Sequence, residues 1–122
     1  MARILLAEDD DSMRDFLAKA LERAGHEVEA VADGEDGLDM LGEAPGRFEL
    51  VLTDIVMPGV DGIELARRAA EIDPGLKIMF ITGFAAVALN AGASAPKEAK
   101  VLSKPFHLRD LVDEVAKVMD AA

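Results

Sequence analysis

Short aliphatic runs alternate with segments of helical apolar spacing along the whole chain. Ile4-Leu5-Leu6-Ala7 and Leu50-Val51-Leu52-Thr53 are continuous apolar runs, the pattern of strands buried on both faces. Between them, Met13, Phe16, Leu17, Ala20, Leu21 and Ala24 follow helical spacing in a segment that Ser12 can N-cap and Gly25 can close. A short strand around Glu27 to Val31 follows. Asp33 then caps a weak helix containing Leu38, Met40 and Leu41, interrupted by Gly37 and Gly42 and ended near Pro45-Gly46. Farther on, Asp61 caps a helix from about Gly62 to Glu71 that stops at the turn residues Asp73-Pro74-Gly75. Lys77 to Ile81 reads as a fourth strand, Phe84 to Ala91 as a helix of small apolar residues, Val101-Leu102 as a fifth strand and His107 to Met119 as a last helix. Strands and helices in strict alternation, five of each, predict an α/β fold: a doubly wound five-stranded parallel sheet covered on both faces and joined by right-handed crossovers.

Composition narrows the classes that remain. A chain of 122 residues without repeat, linker or low-complexity tract predicts one unit over residues 1–122. With 51% hydrophobic and 30% charged residues it is globular rather than disordered in character. No cysteine is present, which excludes a disulfide framework, a thiolate metal site and a thiol nucleophile. The N-terminal apolar run turns acidic at Glu8 and is too short for the core of a signal peptide. Ile78 to Pro96 carries no charge, but Thr82, Gly83, Asn90, Gly92, Ser94 and Pro96 suit a buried strand and a helix better than a membrane span. A cytoplasmic protein with no membrane partner is expected. The net charge of −11 disfavours contacts with phosphate backbones, so no nucleic-acid partner is expected either.

The polar residues at the strand ends carry the chemistry. Glu8 and Asp9 end the first strand, Asp54 the third, Thr82 the fourth and Lys104 the fifth. In a parallel sheet these ends share one edge, so residues far apart in sequence converge there. A carboxylate trio at one point repels itself, and it either raises its pKa values or recruits a hard cation, for which Mg²⁺ is best suited. A lone Lys and a lone Thr beside such an ion supply the positive charge and the hydroxyl that phosphoryl transfer needs. Each residue also has a plainer reading. Glu8 to Asp11 can be an acidic run favouring the first helix's dipole, which suffices for Asp10 and Asp11. Asp54 alone would be a turn residue, Thr82 a β-branched strand terminus and Lys104 a turn before Pro105. His26 and His107 lack a partner pattern for a metal or relay and read as surface or capping residues.

Ile4 to Asp10 (ILLAEDD), Leu52 to Pro58 (LTDIVMP), Asp61-Gly62, Ile81-Thr82-Gly83 and Ser103-Lys104-Pro105-Phe106 together resemble the receiver domains of response regulators in two-component signal transduction. The resemblance covers essentially the whole chain and implies a sheet in the order 2-1-3-4-5. It implies Asp54 as phosphoacceptor, Asp9 as a direct Mg²⁺ ligand, Glu8 as an outer or water-mediated one and the backbone carbonyl of Val56 as a further ligand. Thr82 would read the phosphoryl group and Lys104 would pair with it, with Lys104-Pro105 in the cis form. Val101 stands where many receivers carry an aromatic switch residue, so the usual coupling from the Thr to a ring is not assumed. Val56 and Phe84 fill positions where polar side chains help to orient the hydrolytic water, which suggests slow autodephosphorylation.

The stretches Ala7 to Phe16, Lys77 to Asn90 and Val101 to Leu111 are similar to stand-alone receivers of an alphaproteobacterial cell-cycle phosphorelay. That similarity implies a switch, not an enzyme, charged by a histidine phosphotransferase or histidine kinase. It further implies that the unphosphorylated form binds the ClpX unfoldase and promotes proteolysis by ClpXP. The partner face would comprise the helix after Thr82, the fifth strand and the last helix. The former is apolar nearly all round and is either deeply covered or a contact surface. Because the chain stops with the last helix, its output is expected on the receiver surface itself, and the Asp120-Ala121-Ala122 tail is either a frayed helix end or a protease signal. A phosphate sink or shuttle is the alternative role. A phosphatase of the haloacid dehalogenase type needs a second acid where Val56 stands, and a flavodoxin-like carrier lacks its phosphate loop and the Trp or Tyr that would hold a flavin.

Overall fold

Along the central strands, successive side chains enter two different cores. Ile4, Leu6, Leu50, Leu52, Met79 and Ile81 pack with Leu17, Leu21, Leu111 and Val115 on one face of the sheet. Leu5, Ala7, Val51, Ile78 and Phe80 pack with Leu38, Leu41, Leu65, Ala66 and Ala69 on the other. A strand with an apolar layer on each side shows a continuous aliphatic run instead of alternation, which is why these segments are legible as buried parallel strands. Each fully buried Leu or Ile contributes roughly 1.5–3 kcal/mol relative to exposure.

The computed structural model describes residues 2–82, 100–103 and 106–120. In order they form β1 (Arg3–Ala7), α1 (Asp11–Arg23), β2 (Glu27–Val31), α2 (Gly34–Glu43), β3 (Leu50–Asp54), α3 (Gly62–Ile72), β4 (Lys77–Thr82), β5 (Lys100–Ser103) and α4 (Leu108–Asp120). The sheet is parallel throughout, in the order β2-β1-β3-β4-β5, as expected. Four helices lie among the described residues. The helix expected from Phe84 to Ala91 lies outside them, as do Lys104-Pro105 and the Ala121-Ala122 tail. Among the described residues, no helix is long and apolar enough to cross a membrane.

Element ends differ from the sequence expectation by a residue or two, most informatively at α1. Asp10, not Ser12, is the N-cap: it is still extended (φ −79°, ψ 117°), and its carboxylate accepts from the Met13 amide at 2.8 Å. The chain turns into the helix directly on leaving the first strand, so Ser12 is already inside the first turn. Gly25 closes α1 with φ 98°, a conformation that suits glycine. Phe16, expected on the apolar face, is 54% exposed. Asp33 and Asp61 cap α2 and α3 as expected, each accepting the amide three residues on. His107 caps α4: its carbonyl accepts from the Asp110 and Leu111 amides, and its own amide donates to the Asp110 carboxylate.

His26 does more than sit on the surface. Its Nδ1 accepts the Ala2 amide at 3.0 Å, tying the start of the chain to the α1–β2 turn. Partial burial holds the imidazole below its usual value of 6.5, helped by the positive amino terminus and opposed by Glu49. The folded state therefore binds fewer protons than the unfolded chain below about pH 6.5, so this contribution is present above that value and declines as the pH falls toward the lowered one.

Two outcomes are expected. Asp10→Ala should lower stability by about 1 kcal/mol in urea unfolding, with Ser12→Ala near neutral. In thermal melts between pH 7.5 and 5.5 the wild type should lose stability on acidification, and His26→Asn, which keeps an acceptor that cannot titrate, should lose less.

Candidate functional site

Three carboxylates meet beyond the carboxyl ends of β1 and β3. Glu8 follows β1 and is buried to 1% exposure, Asp9 is exposed and Asp54, the last residue of β3, is 8% exposed. One oxygen from each lies within 4.8 Å of the others. The Glu8 amide donates to the Val31 carbonyl at 3.1 Å, which binds the exit of β1 to the end of β2. The Arg14 guanidinium donates from Nη1 to the Glu8 carbonyl at 2.9 Å and from Nη2 to the Asp11 carboxylate at 2.6 Å.

The exit of β3 is held from several sides. Thr53 is buried and its hydroxyl donates to the Asp54 carbonyl at 2.9 Å. The Ile55 amide reaches the Ile81 carbonyl on β4, and the Gly62 amide at the start of α3 donates to the Ile55 carbonyl at 2.8 Å. α3 begins so close to the strand that a Cβ on Gly62 would run into the Asp54 carbonyl, and only glycine fits there. The Val56 amide donates to Asp54 Oδ1 at 3.3 Å, so the backbone of this loop touches the central carboxylate while the Val56 side chain, 49% exposed, stands at the rim.

The structure thus brings together three of the residues nominated by the sequence, Glu8, Asp9 and Asp54, with Val56 beside them. Ile81 is the register partner of Asp54, so the backbone of Thr82 ends β4 at the same edge. The side chain of Thr82 and the whole of Lys104 lie outside the described residues. Arg14 was not nominated: six residues from Glu8, it matches no helical pair spacing, and its contact exists only because the chain folds back between β1 and α1.

The donor set is all oxygen and formally anionic, which fits a hard divalent cation such as Mg²⁺ and offers no soft ligand for a thiophilic metal. The largely enclosed Asp54 carboxylate, reachable at the sheet edge, has the chemistry of a nucleophile toward a phosphoryl group.

Comparison with known proteins agrees with this edge of the sheet. The response regulator receiver domain family matches residues 4–116. The chain is 66% identical to the response regulator receiver protein CpdR of Brucella abortus (strain 2308) over 122 residues, all of both chains. Among solved structures, it is similar to a response regulator receiver protein from Sinorhizobium medicae WSM419 (TM-score 0.89, 33% identity, 98% of this chain and 95% of that one). It is also similar to the Thermotoga maritima response regulator TrrA in complex with Mg²⁺ and BeF (TM-score 0.84, 28% identity, 97% of this chain and 99% of that one). The chain belongs to the response regulator receiver domain family.

Proposed function

We propose that residues 1–122 form one receiver domain acting as a phosphorylation switch, with Asp54 as its phosphoacceptor. The observation that carries this reading is the convergence of Glu8, Asp9 and Asp54 within 4.8 Å at the carboxyl edge of the sheet. The phosphodonor is a phosphohistidine on a histidine phosphotransferase or histidine kinase. An Asp54 carboxylate oxygen attacks phosphorus in line, the phosphorus–nitrogen bond breaks, and the imidazole leaves with the bonding electron pair and takes up a proton. The product is an acyl phosphate on Asp54. Asp9, Asp54 and the Val56 carbonyl would hold Mg²⁺, with Glu8 acting as an outer or water-mediated ligand, and the ion would supply the charge neutralisation the transferred group requires. The likeness to TrrA, whose structure carries Mg²⁺ and BeF, supports that choice of ion.

The Thr82 hydroxyl and the Lys104 ammonium meet the new phosphoryl oxygens in this reading. Val101 is 38% exposed and offers no ring to follow Thr82, so the backbone after Thr82 carries the change to the surface. Phosphorylation adds about −1.5 to −2 charges and biases an existing two-state equilibrium of that loop. The apolar Val56 at the rim orients no water, consistent with slow loss of the phosphoryl group.

The full-length likeness to CpdR supports the finer assignment: a cytoplasmic, phosphorylation-controlled adaptor for the ClpXP protease, active when unphosphorylated and silenced by a cell-cycle phosphorelay. ClpX would meet the face formed by the segment after Thr82, β5 and α4. The chain transfers the phosphoryl group to itself and is otherwise not an enzyme.

Intact mass after incubation with acetyl phosphate and Mg²⁺ should rise by one phosphoryl group. Chelation of the metal or Asp54→Asn should abolish the gain, and addition surviving Asp54→Asn would overturn the assignment. Immobilised protein should capture ClpX from host lysate only without beryllofluoride. Equal capture in both states would favour a phosphate sink or shuttle.

A further inference from the structure

We infer that Arg14 is a positioning residue for Mg²⁺ binding, clamping the β1–α1 turn so that Glu8 and Asp9 face Asp54; this rests on the metal site proposed above. The turn from Glu8 to Asp10 carries two of the three converging carboxylates, and like charges so close together repel. Its ends are anchored. The Glu8 amide is bonded to Val31, the Asp10 carbonyl accepts the Arg14 amide at 2.8 Å, and the Asp10 carboxylate caps α1. Between these anchors, the Glu8 carbonyl is received by Arg14 Nη1 at 2.9 Å, while Nη2 of the same group lies 2.6 Å from Asp11. A planar guanidinium with two fixed donors sets the distance between the Glu8 peptide and the first turn of α1 in a way that one flexible ammonium cannot.

Burial separates this arginine from ordinary surface pairs. Its side chain is 22% exposed and its bond to the Glu8 carbonyl is partly buried, although Asp11 is 88% exposed; Lys19 and Asp15 on the same helix pair at 62% and 65%. Solvated pairs of that second kind hold little in place.

Charge and geometry predict opposite signs for its removal. As a plain cation near an acidic site, Arg14 would oppose Mg²⁺, and neutralising it would tighten binding. As a clamp, it holds the carboxylate turn in the geometry the ion needs, and removing it weakens binding. Geometry prevails, because Nη1 and Nη2 are both engaged, on the Glu8 carbonyl and on Asp11, and so tie the turn to α1.

The test is Mg²⁺ titration by calorimetry, with the Mg²⁺-dependent rise in the unfolding midpoint as a second readout, on the full chain without phosphodonor. Arg14→Gln should raise the Kd for Mg²⁺ about tenfold, the scale on which second-layer partners of metal ligands act. Arg14→Lys, which can reach one acceptor but not both, should fall between Gln and wild type, and it carries the test if the Gln variant does not fold. Unchanged or tighter binding by a folded Arg14→Gln, or Lys no better than Gln, would overturn the inference alone. A wild type that binds no Mg²⁺ would overturn the site reading and this inference with it.

Discussion

Like charges set the terms for the rest of the molecule. Two unit charges about 4 Å apart repel by about 4 kcal/mol where the effective dielectric is near 20, and less where one of them, like Asp9, faces solvent. Against a typical folding free energy of about 5–15 kcal/mol, holding Glu8, Asp9 and Asp54 within 4.8 Å is a substantial opposing term. The sheet helps to meet it by anchoring backbone. The exits of β1 and β3 are fixed by contacts with Val31, Thr53, Ile81 and Gly62, which hold the backbone that carries Glu8 and Asp54.

The two cores supply that rigidity. Leu5 and Val51 are locked on the side of α2 and α3, and Ile4, Leu6 and Leu52 on the side of α1 and α4. A strand gripped on both faces cannot rotate to relieve strain at its end, whereas one covered on a single face could tilt. The close approach of Gly62 to Asp54 belongs to the same logic: α3 starts against the strand end and closes the loop that brings the Val56 amide to the central carboxylate.

Long apolar runs made β1 and β3 legible, because burial on both faces leaves no alternation to confuse with a helix. The edge strand β2 was legible mainly from its neighbours, since Glu27, Glu29 and Ala30 are exposed there. The acidic trio followed from topology once the strands were parallel, as strand ends must share an edge. What the sequence concealed was local choice among equals. Asp10, Asp11 and Ser12 are all good caps, and only the extended conformation of Asp10 on leaving β1 decides between them. Phe16 fits a helical stripe by spacing yet stands 54% exposed, because a stripe of that width exceeds what the sheet covers. The bond from Arg14 to Glu8 was invisible because its acceptor is a backbone carbonyl, and no side-chain pattern encodes a carbonyl.

An acidic chain that receives an anion faces an electrostatic problem in two stages. With a net charge of −11, the protein repels a phosphoryl donor at long range, and salt screens that repulsion over about 10 Å at 0.1 M. At short range screening fails, and the cost falls on whatever lies within the site. The Val56 amide donates to the Asp54 carboxylate there, and at 3.3 Å it is a long hydrogen bond that neutralises no charge. The cation Arg14 is engaged with the Glu8 carbonyl and with Asp11. A divalent cation in the site would offset that cost. Under the proposed function, the same acidity that would impede the donor would give a small divalent cation its affinity, and metal binding and phosphoryl acceptance would draw on one set of carboxylates.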